Sequence, residues 1–333
     1  MNDQILLLSR RDEDAEFCAE LARRMNFAFT PIPKLDHALS IPKNAKVAVF
    51  ISVDDDKDLE NYNESDVYKS LEALQYILPE SRVFAIADKM IFELPHLFRN
   101  PTIGHYLLRK YDEFCFDWVE KLIRHGLQDV PKDVEKLKEA DAKEVKIHLT
   151  HSNDRIKAIK GAEALLTGKG FSDRCTQRIL QALDELILNA IFDAPMDEKG
   201  RTYRKANLRD SELFLFGKEE VDVSVRIEKS MILLTVVDQF GSFSKDRALK
   251  VIQKDYATAG YTPDLNTQSG GLGLHGIVGS GLGFLIQIIP GERTETVVAF
   301  PYFKSFKDMK ASFRSFTMLI QDRIALKIRL NKT

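Results

Sequence analysis

Short apolar runs alternate with helical patterns along residues 1–128, and this alternation constrains the fold more than any other feature of the chain. The runs are apolar and rich in β-branched residues, as buried strands are, and they cover residues 4–9, 27–32, 46–53, 82–87 and 105–109. Helical spacing of apolar residues predicts helices after the first strand, over 65–78 and over 111–127. Strands that alternate with helices pair in parallel through helical crossovers. Residues 1–128 are therefore predicted to form a parallel sheet covered by helices.

Composition narrows the class of protein. With 44% hydrophobic and 29% charged residues among 333, the chain has the balance and the length of a globular protein of two domains. Its net charge of −2 argues against a general nucleic-acid binder, which needs a large basic excess. The charge is uneven, because residues 1–130 are acidic and residues 301–333 are basic. The three cysteines are far apart, so neither a disulfide framework nor a cysteine zinc site is expected.

No segment is apolar for the roughly 20 residues that a membrane-spanning helix needs. The apolar run near the amino terminus covers only Ile5–Leu8 and has no cleavage site after it, so it does not match a signal peptide. We therefore expect a cytoplasmic protein without a membrane span.

A second pattern begins after a charged, proline-containing stretch at 129–145, which is predicted to be a linker or, alternatively, an extension of the preceding helix. Residues 146–302 are predicted to form the next domain. Its predicted helices cover 153–167, 172–193 and 245–257, and its predicted strands cover 145–152, 221–228, 232–243, 283–290 and 294–302. The polar stretch at 196–212 is predicted to be a loop whose basic residues form a solvated surface rather than a binding patch.

The helix predicted over 172–193 has two distinct faces. Apolar residues repeat at three- and four-residue spacing, so one face packs into a core. Glu185, Asn189 and Asp193 are each four residues apart and align on a second face. A carboxylate one turn from a carboxamide can hold a hydrated magnesium ion, because that metal takes oxygen ligands and keeps several waters. On this segment alone, a plain polar surface is the favoured explanation of the row.

Two later segments have features of nucleotide sites. Asp238 ends an apolar strand and precedes a turn that contains Gly241, where a carboxylate can accept a hydrogen bond from an amino group such as that of adenine. Residues 269–276, SGGLGLHG, are glycine-rich, and glycine lets backbone amides approach phosphates closely. This loop matches neither the dinucleotide-binding fingerprint nor the P-loop.

In order and spacing, the three segments together resemble the GHKL family of ATP-binding domains, which includes DNA gyrase, heat-shock chaperones, histidine kinases and mismatch-repair ATPases. Glu185 and Asn189 match the Glu-x-x-x-Asn N box of that family. Asp238 matches the aspartate of its first glycine box, and residues 271–274 match its second glycine box. The resemblance covers about 145–302 and implies an α/β sandwich with a mixed sheet. Within the family, the segment is most similar to the anti-sigma-factor serine kinases.

This resemblance implies ATP and magnesium as cofactors, and it implies a role for each matching residue. Glu185 is the expected catalytic base, Asn189 the expected magnesium ligand, and Asp238 the expected adenine-binding residue. The other expected nucleotide contacts are Asp193, Gly241, Gly270, Gly271, Gly273 and Leu274. The family usually has Asp-x-Gly-x-Gly in its first glycine box, whereas Phe240 stands here where the first glycine is expected. Nucleotide binding without turnover therefore stays open.

Residues 1–128 resemble a response-regulator receiver, which has a flavodoxin-like fold. That family has an acidic pair after the first strand, an aspartate at the end of the third strand and a lysine at the end of the fifth. Here Asp12 is interpreted as the early acid and as the cap of the first helix, Ser52 lies near the acceptor position, and Arg109 ends the fifth strand. The resemblance implies a degenerate receiver that is not phosphorylated. The acidic run at 54–58 is expected to be a solvated loop.

The basic residues 303–333 alternate with aromatic residues and methionine, with helical spacing at Phe306, Met309, Phe313 and Phe316. This spacing predicts an amphipathic helix. The helix either binds an acidic partner or membrane surface, or packs on the protein itself, and the second interpretation is favoured.

Together these features predict an ATP-binding signalling protein that acts on a protein partner, with Ser/Thr kinase activity of the anti-sigma type and with homodimer formation left open. One alternative is a non-catalytic signalling adaptor with a decayed nucleotide pocket. A second alternative is a histidine kinase, for which His151 is the candidate phosphoacceptor.

Overall fold

The computed structural model describes residues 3–32, 46–53, 71, 78, 82–89, 94, 97, 100–127, 139, 141–204, 209, 211–248, 283–303, 307–308 and 313–321. The chain divides into two compact units. The first unit comprises Met1–Lys138 with Phe313–Thr317, and the second comprises Glu139–Ser312 with Met318–Thr333. Each unit combines helices with a β-sheet.

The first unit contains a parallel sheet. Its strands are β1 (Gln4–Leu8), β2 (Ala28–Pro31), β3 (Val47–Ser52), β4 (Val83–Ala87) and β5 (His105–Leu108). Their spatial order is β2-β1-β3-β4-β5, and neighbouring strands run parallel. The predicted parallel sheet is therefore confirmed. This strand order is common in open sheets, and ligands of such sheets bind beyond the carboxyl ends of the strands.

Two helices of the first unit pack against each other. Helix α1 spans Asp12–Met25 and buries the predicted apolar stripe, and helix α2 spans Glu113–Gly126. Arg24 of α1 pairs with Glu113 of α2 at 2.9 Å. The cap predicted at Asp12 is wrong, because α1 begins after Arg11 and Asp12 is already helical. Most of the helix predicted over 65–78, and the acidic run at 54–58, lie outside the described residues.

The second unit contains an antiparallel sheet. Its strands are β6 (Lys143–Leu149), β7 (Val221–Ile227), β8 (Met231–Asp238), β9 (Gly283–Ile289) and β10 (Arg293–Pro301), in the spatial order β6-β7-β8-β10-β9. Every neighbouring pair in that order is antiparallel. All eight residues of β8 are buried, so this strand lies in the core. The predicted linker is wrong for residues 143–145, because they pair with β7 as the start of β6.

Helix α3 (Asp154–Thr167) packs on β6 and on helix α4 (Asp173–Leu188). A Cβ atom at position 161 would lie 3.0 Å from Val145 Cγ1, so glycine there eases the close approach of α3 to β6. The Ser172 hydroxyl caps α4 by accepting the Cys175 N–H. Within the described residues, no helix is long and apolar enough to cross a membrane. Of the helix predicted over 245–257, only the first turn is described.

The helix predicted across 303–333 is wrong for residues 315–320, which form strand β11 (Ser315–Ile320). The first residues of β11 pair antiparallel with β5 of the first unit. There Trp118 Nε1 donates to Ser315 Oγ at 2.9 Å. Five of the six residues in β11 are buried, whereas an amphipathic helix leaves one face exposed. The basic residues 322–333 lie outside the described part of the chain.

Candidate functional site

The polar row predicted on α4 is half-buried, and it ends in a π-helical turn. Glu185 lies in the last α-helical turn, and residues Asn189–Asp193 form the π turn. In that turn the Ala194 N–H donates to the Asn189 carbonyl at 2.9 Å. The prediction of one α-helix as far as residue 193 is therefore wrong after Leu188. Single π turns within helices are rare and occur frequently at functional sites.

One guanidinium group joins all three residues of the row. Arg209 Nη1 donates to Glu185 Oε1 at 2.8 Å, and Nη2 donates to Asp193 Oδ2 at 2.9 Å. Nη2 also lies 3.5 Å from Asn189 Oδ1. The Arg209 side chain is 25% exposed. A single planar guanidinium group reaches all three side chains, so their oxygen atoms point toward the same place. Side chains that bind one ligand have this arrangement.

The basic stretch at 196–212 is therefore not simply the solvated surface that was expected. Arg209 belongs to this stretch and contacts the α4 row. Arg204 is buried, pairs with Glu219 at 2.6 Å and donates to the Ile191 carbonyl at 3.3 Å. The contacts of Arg209 and Arg204 join residues that are distant in sequence, so the composition of the stretch does not predict them.

Asp238 ends the buried strand β8 as a buried carboxylate, 8% exposed. One of its oxygens accepts the Phe240 N–H at 2.9 Å. Burial raises the pKa of Asp238 to about 6, although the Phe240 N–H and the charge of Arg247 act in the opposite direction. Burial of a carboxyl that is not directly paired with a cation costs free energy. Shifts of this kind are concentrated at functional sites.

The turn after Asp238 requires glycine at position 241. Gly241 has φ of +57°, and a Cβ atom on it would lie 2.1 Å from the Ile289 carbonyl oxygen and 2.8 Å from the Glu292 nitrogen. Phe240 supplies its backbone N–H to Asp238, and any residue except proline provides that group. Phe240 in place of the glycine of the GHKL pattern therefore does not remove the backbone hydrogen bond to the Asp238 carboxylate.

Two contacts link the Asp238 turn with the end of the α4 row. The Ser242 hydroxyl donates to the Ala194 carbonyl at 2.8 Å. Arg247 Nη2 donates to the Asp193 carbonyl at 3.0 Å. Glu185, Asn189, Asp193, Asp238 and Gly241 thus belong to one region of the second unit. The predicted Gly270, Gly271, Gly273 and Leu274 lie outside the described residues.

Arg209, Ser242 and Arg247 are not among the residues that the sequence predicts for this site. Ser242 directly follows Gly241, so its position next to the turn was a usable signal. The two arginines have no comparable signal, because no motif or periodic spacing relates them to the α4 row.

The donor set of the row fits magnesium only when other ligands complete it. The row supplies two carboxylates and one amide oxygen, and the described residues contain no group of three or more His, Cys, Asp or Glu side chains that could hold a metal ion. Magnesium is usually bound by one or two carboxylates together with waters and substrate phosphates. The oxygen donors of the row are therefore of the kind that magnesium takes, and further ligands must complete its coordination.

The first unit has a second polar cluster, located where its parallel strands end. The fully buried Asp14 accepts hydrogen bonds from Arg109 Nε at 2.9 Å and from Ser9 Oγ at 2.7 Å. Arg109 Nη2 also donates to Ser52 Oγ at 2.8 Å, and Nη1 pairs with Asp88. The acid at this edge is thus Asp14 rather than the expected Asp12. The Arg109 side chain is 2% exposed and occupies the centre of the cluster.

Comparison with models of known protein families gives no match, and no curated protein matches the chain. The functional conclusion therefore depends on the geometry of the two units.

Proposed function

We propose that the chain is an ATP-binding signalling protein whose second unit binds Mg²⁺·ATP at the α4 row and the Asp238 turn. The observation that carries this proposal is Asp238. Its carboxylate is buried at the end of an apolar strand, with its pKa raised to about 6, beside a turn that requires glycine. A buried carboxylate without a directly paired cation is costly to the fold, whereas the amino group of adenine needs a hydrogen-bond acceptor in a sheltered place.

The rest of the second unit supports the same assignment. The sheet of the second unit is antiparallel in its described pairs rather than mixed as expected, but with α3 packed on one face it has the two layers of an α/β sandwich, which supports the proposal. In the proposed site, Asp238 binds adenine, Asn189 and Asp193 hold the hydrated magnesium, and Glu185 orients the phosphoryl acceptor. Bound Mg²⁺·ATP supplies a transferable phosphoryl group. Gly271 and Gly273 are proposed to contact the triphosphate.

The first unit is proposed to be a receiver-like regulatory domain that is not phosphorylated. Its strand order, β2-β1-β3-β4-β5, is the flavodoxin-like order. Ser52 ends β3 where the family has its phosphoacceptor aspartate, and Arg109 donates a hydrogen bond to its hydroxyl. Strand β3 has no carboxylate that could accept a phosphoryl group. The Arg109 guanidinium lies at the carboxyl ends of the strands and contacts Ser52 at the corresponding position.

A second candidate function is a nucleotide-binding adaptor without turnover. The contact that favours it is the pairing of Glu185 with Arg209 at 2.8 Å, because the guanidinium occupies a carboxylate oxygen that a catalytic base must present to its substrate. The histidine-kinase alternative has less support. His151 lies in the turn before α3 and accepts the Asn153 N–H at 3.1 Å, whereas a phosphoacceptor histidine requires a place on a dimerising helical hairpin.

Thermal unfolding with and without Mg²⁺·ATP tests the proposal, because a ligand that binds only the folded state must stabilise it. We expect stabilisation of the wild type, none for Asp238→Asn, and nearly full stabilisation for Glu185→Ala. No stabilisation of the wild type at millimolar nucleotide contradicts the proposal. ATP turnover that Glu185→Ala abolishes selects a kinase or ATPase over the adaptor, and a Ser/Thr kinase acting on a partner remains our preferred activity.

A further inference from the structure

Two arginines contact the carboxyl-terminal end of α4, and the roles proposed above use neither of them. Arg209 Nη2 donates to the Asp193 carboxylate at 2.9 Å, and Arg247 Nη2 donates to the Asp193 backbone carbonyl at 3.0 Å. The two residues come from different segments, one before β7 and one after β8. Two guanidinium groups therefore meet at a single residue of the proposed nucleotide site.

Both side chains are suited to exchange their present partners for a more highly charged anion. A guanidinium group binds phosphate oxygens through paired N–H donors, and bonds between two ionised groups are stronger than a bond to a neutral carbonyl. Arg247 donates to the neutral backbone carbonyl of Asp193, which is the weaker type of bond. Arg209 and Arg247 are only partly buried, so a ligand can reach them. Arg204 differs, because it is buried and paired with Glu219.

Both arginines contact residues to which the proposed function gives a role. Arg247 donates to the Asp193 carbonyl, and Ser242, in the turn that follows the proposed adenine-binding residue Asp238, donates to the adjacent Ala194 carbonyl. Arg209 contacts Glu185 and Asn189 as well as the Asp193 carboxylate. A triphosphate next to Asp193 therefore lies within reach of both cations.

We propose that Arg209 and Arg247 bind the phosphate groups of the nucleotide, and that Asp193 holds Arg209 in position before the nucleotide binds. This inference rests on the proposed function and names which residues recognise the polyphosphate. When Arg209 turns to a phosphate, the oxygens of Asn189 and Asp193 become available to the hydrated magnesium ion. Magnesium and the triphosphate therefore bind cooperatively.

Isothermal titration of the chain with adenosine, AMP, ADP and ATP, each with Mg²⁺, tests the inference. We expect the wild type to bind more tightly with each added phosphate. Arg209→Gln and Arg247→Gln should each weaken ATP binding by about 10- to 100-fold, the usual effect of removing a charge-assisted hydrogen bond, and leave adenosine binding unchanged. Arg201→Gln is the matched control, because Arg201 is 71% exposed and pairs only with Asp197 among the described contacts.

The outcomes separate this inference from the proposed function. If adenosine and ATP bind the wild type but both arginine variants behave like Arg201→Gln, the inference is wrong and the adenine site stands. If neither compound binds, the proposed function is wrong. Inorganic tripolyphosphate then provides an independent test, since its binding to the wild type and its loss in Arg209→Gln support the phosphate site without adenine. Arg209→Lys, which retains the charge and loses the paired donors, should give an intermediate ATP affinity and serves if the Gln variant is unfolded.

Discussion

Replacing Asp238 by asparagine should stabilise the protein at neutral pH. Asparagine retains a carbonyl oxygen that can accept the Phe240 N–H, and it cannot ionise. Burial raises the pKa of Asp238 from its ordinary value of 3.8 to about 6. Since each tenfold change in the ionisation constant corresponds to about 1.4 kcal/mol, ionised Asp238 costs the folded state about 3 kcal/mol above pH 6.

The sign of the pH dependence follows from the same shift. A carboxyl whose pKa is raised by folding holds its proton more tightly in the folded state than in the unfolded state. The contribution of Asp238 is therefore fully favourable below pH 4 and is lost as pH rises through 6. Asp238→Asn should show no such loss. The free energy of unfolding of the variant should exceed that of the wild type by an amount that grows by about 2.5 kcal/mol between pH 4 and pH 7.5.

Urea unfolding followed by circular dichroism at several pH values between 4 and 7.5 measures this difference. Glu163→Gln is the control, because Glu163 is an exposed carboxyl on α3 and should follow the wild type at every pH. Parallel pH profiles for the wild type and Asp238→Asn, or a variant that is less stable at pH 7.5, refute the reasoning. A variant that gains stability while losing nucleotide affinity indicates a residue retained for binding.

Three further substitutions test the structure. Arg109→Ala should destabilise the first unit by about 3–5 kcal/mol, because it leaves the fully buried Asp14 without its cation. Urea unfolding followed by the fluorescence of Trp118, the single tryptophan, measures this loss. Gly241→Ala should lower the melting temperature far more than Gly200→Ala. Both glycines have positive φ, but only a Cβ atom at position 241 would collide with backbone atoms. Equal decreases in melting temperature contradict this close contact. Ser315→Ala should shift Trp118 emission and cost about 1 kcal/mol, and unchanged emission contradicts the placement of β11.

The parts of the fold that the sequence predicts well are those in which local pattern and burial agree. Strand β3 is apolar from Val47 to Ile51 and buried on both sides, so its continuous apolar run identifies it as a strand. The α4 row follows from four-residue spacing alone, and Glu185, Asn189 and Asp193 do share one guanidinium partner. Asp238 ends its strand as predicted, because the apolar run before it stops there.

The parts that the sequence does not predict depend on tertiary contacts. Arg209 contacts Glu185 across 24 positions, and no periodic pattern encodes that distance. The segment at 315–320 was predicted to be helical because aromatic residues three apart suit a helix, yet its burial on both faces removes the alternation that identifies a strand. Asp12 and Asp14 both lie in the first turn of α1, and only the packing of the helix buries Asp14. The sequence pattern therefore does not show which of the two acids belongs to the cluster.

Calorimetric titration of the chain with Mg²⁺·ATP tests the central claim most directly, with Asp238→Asn and Glu163→Gln measured in parallel. The account predicts saturable binding of Mg²⁺·ATP to the wild type and to Glu163→Gln, weaker binding without magnesium, and none to Asp238→Asn. Absence of binding to the wild type at millimolar ATP, or equal affinity for Asp238→Asn, contradicts it.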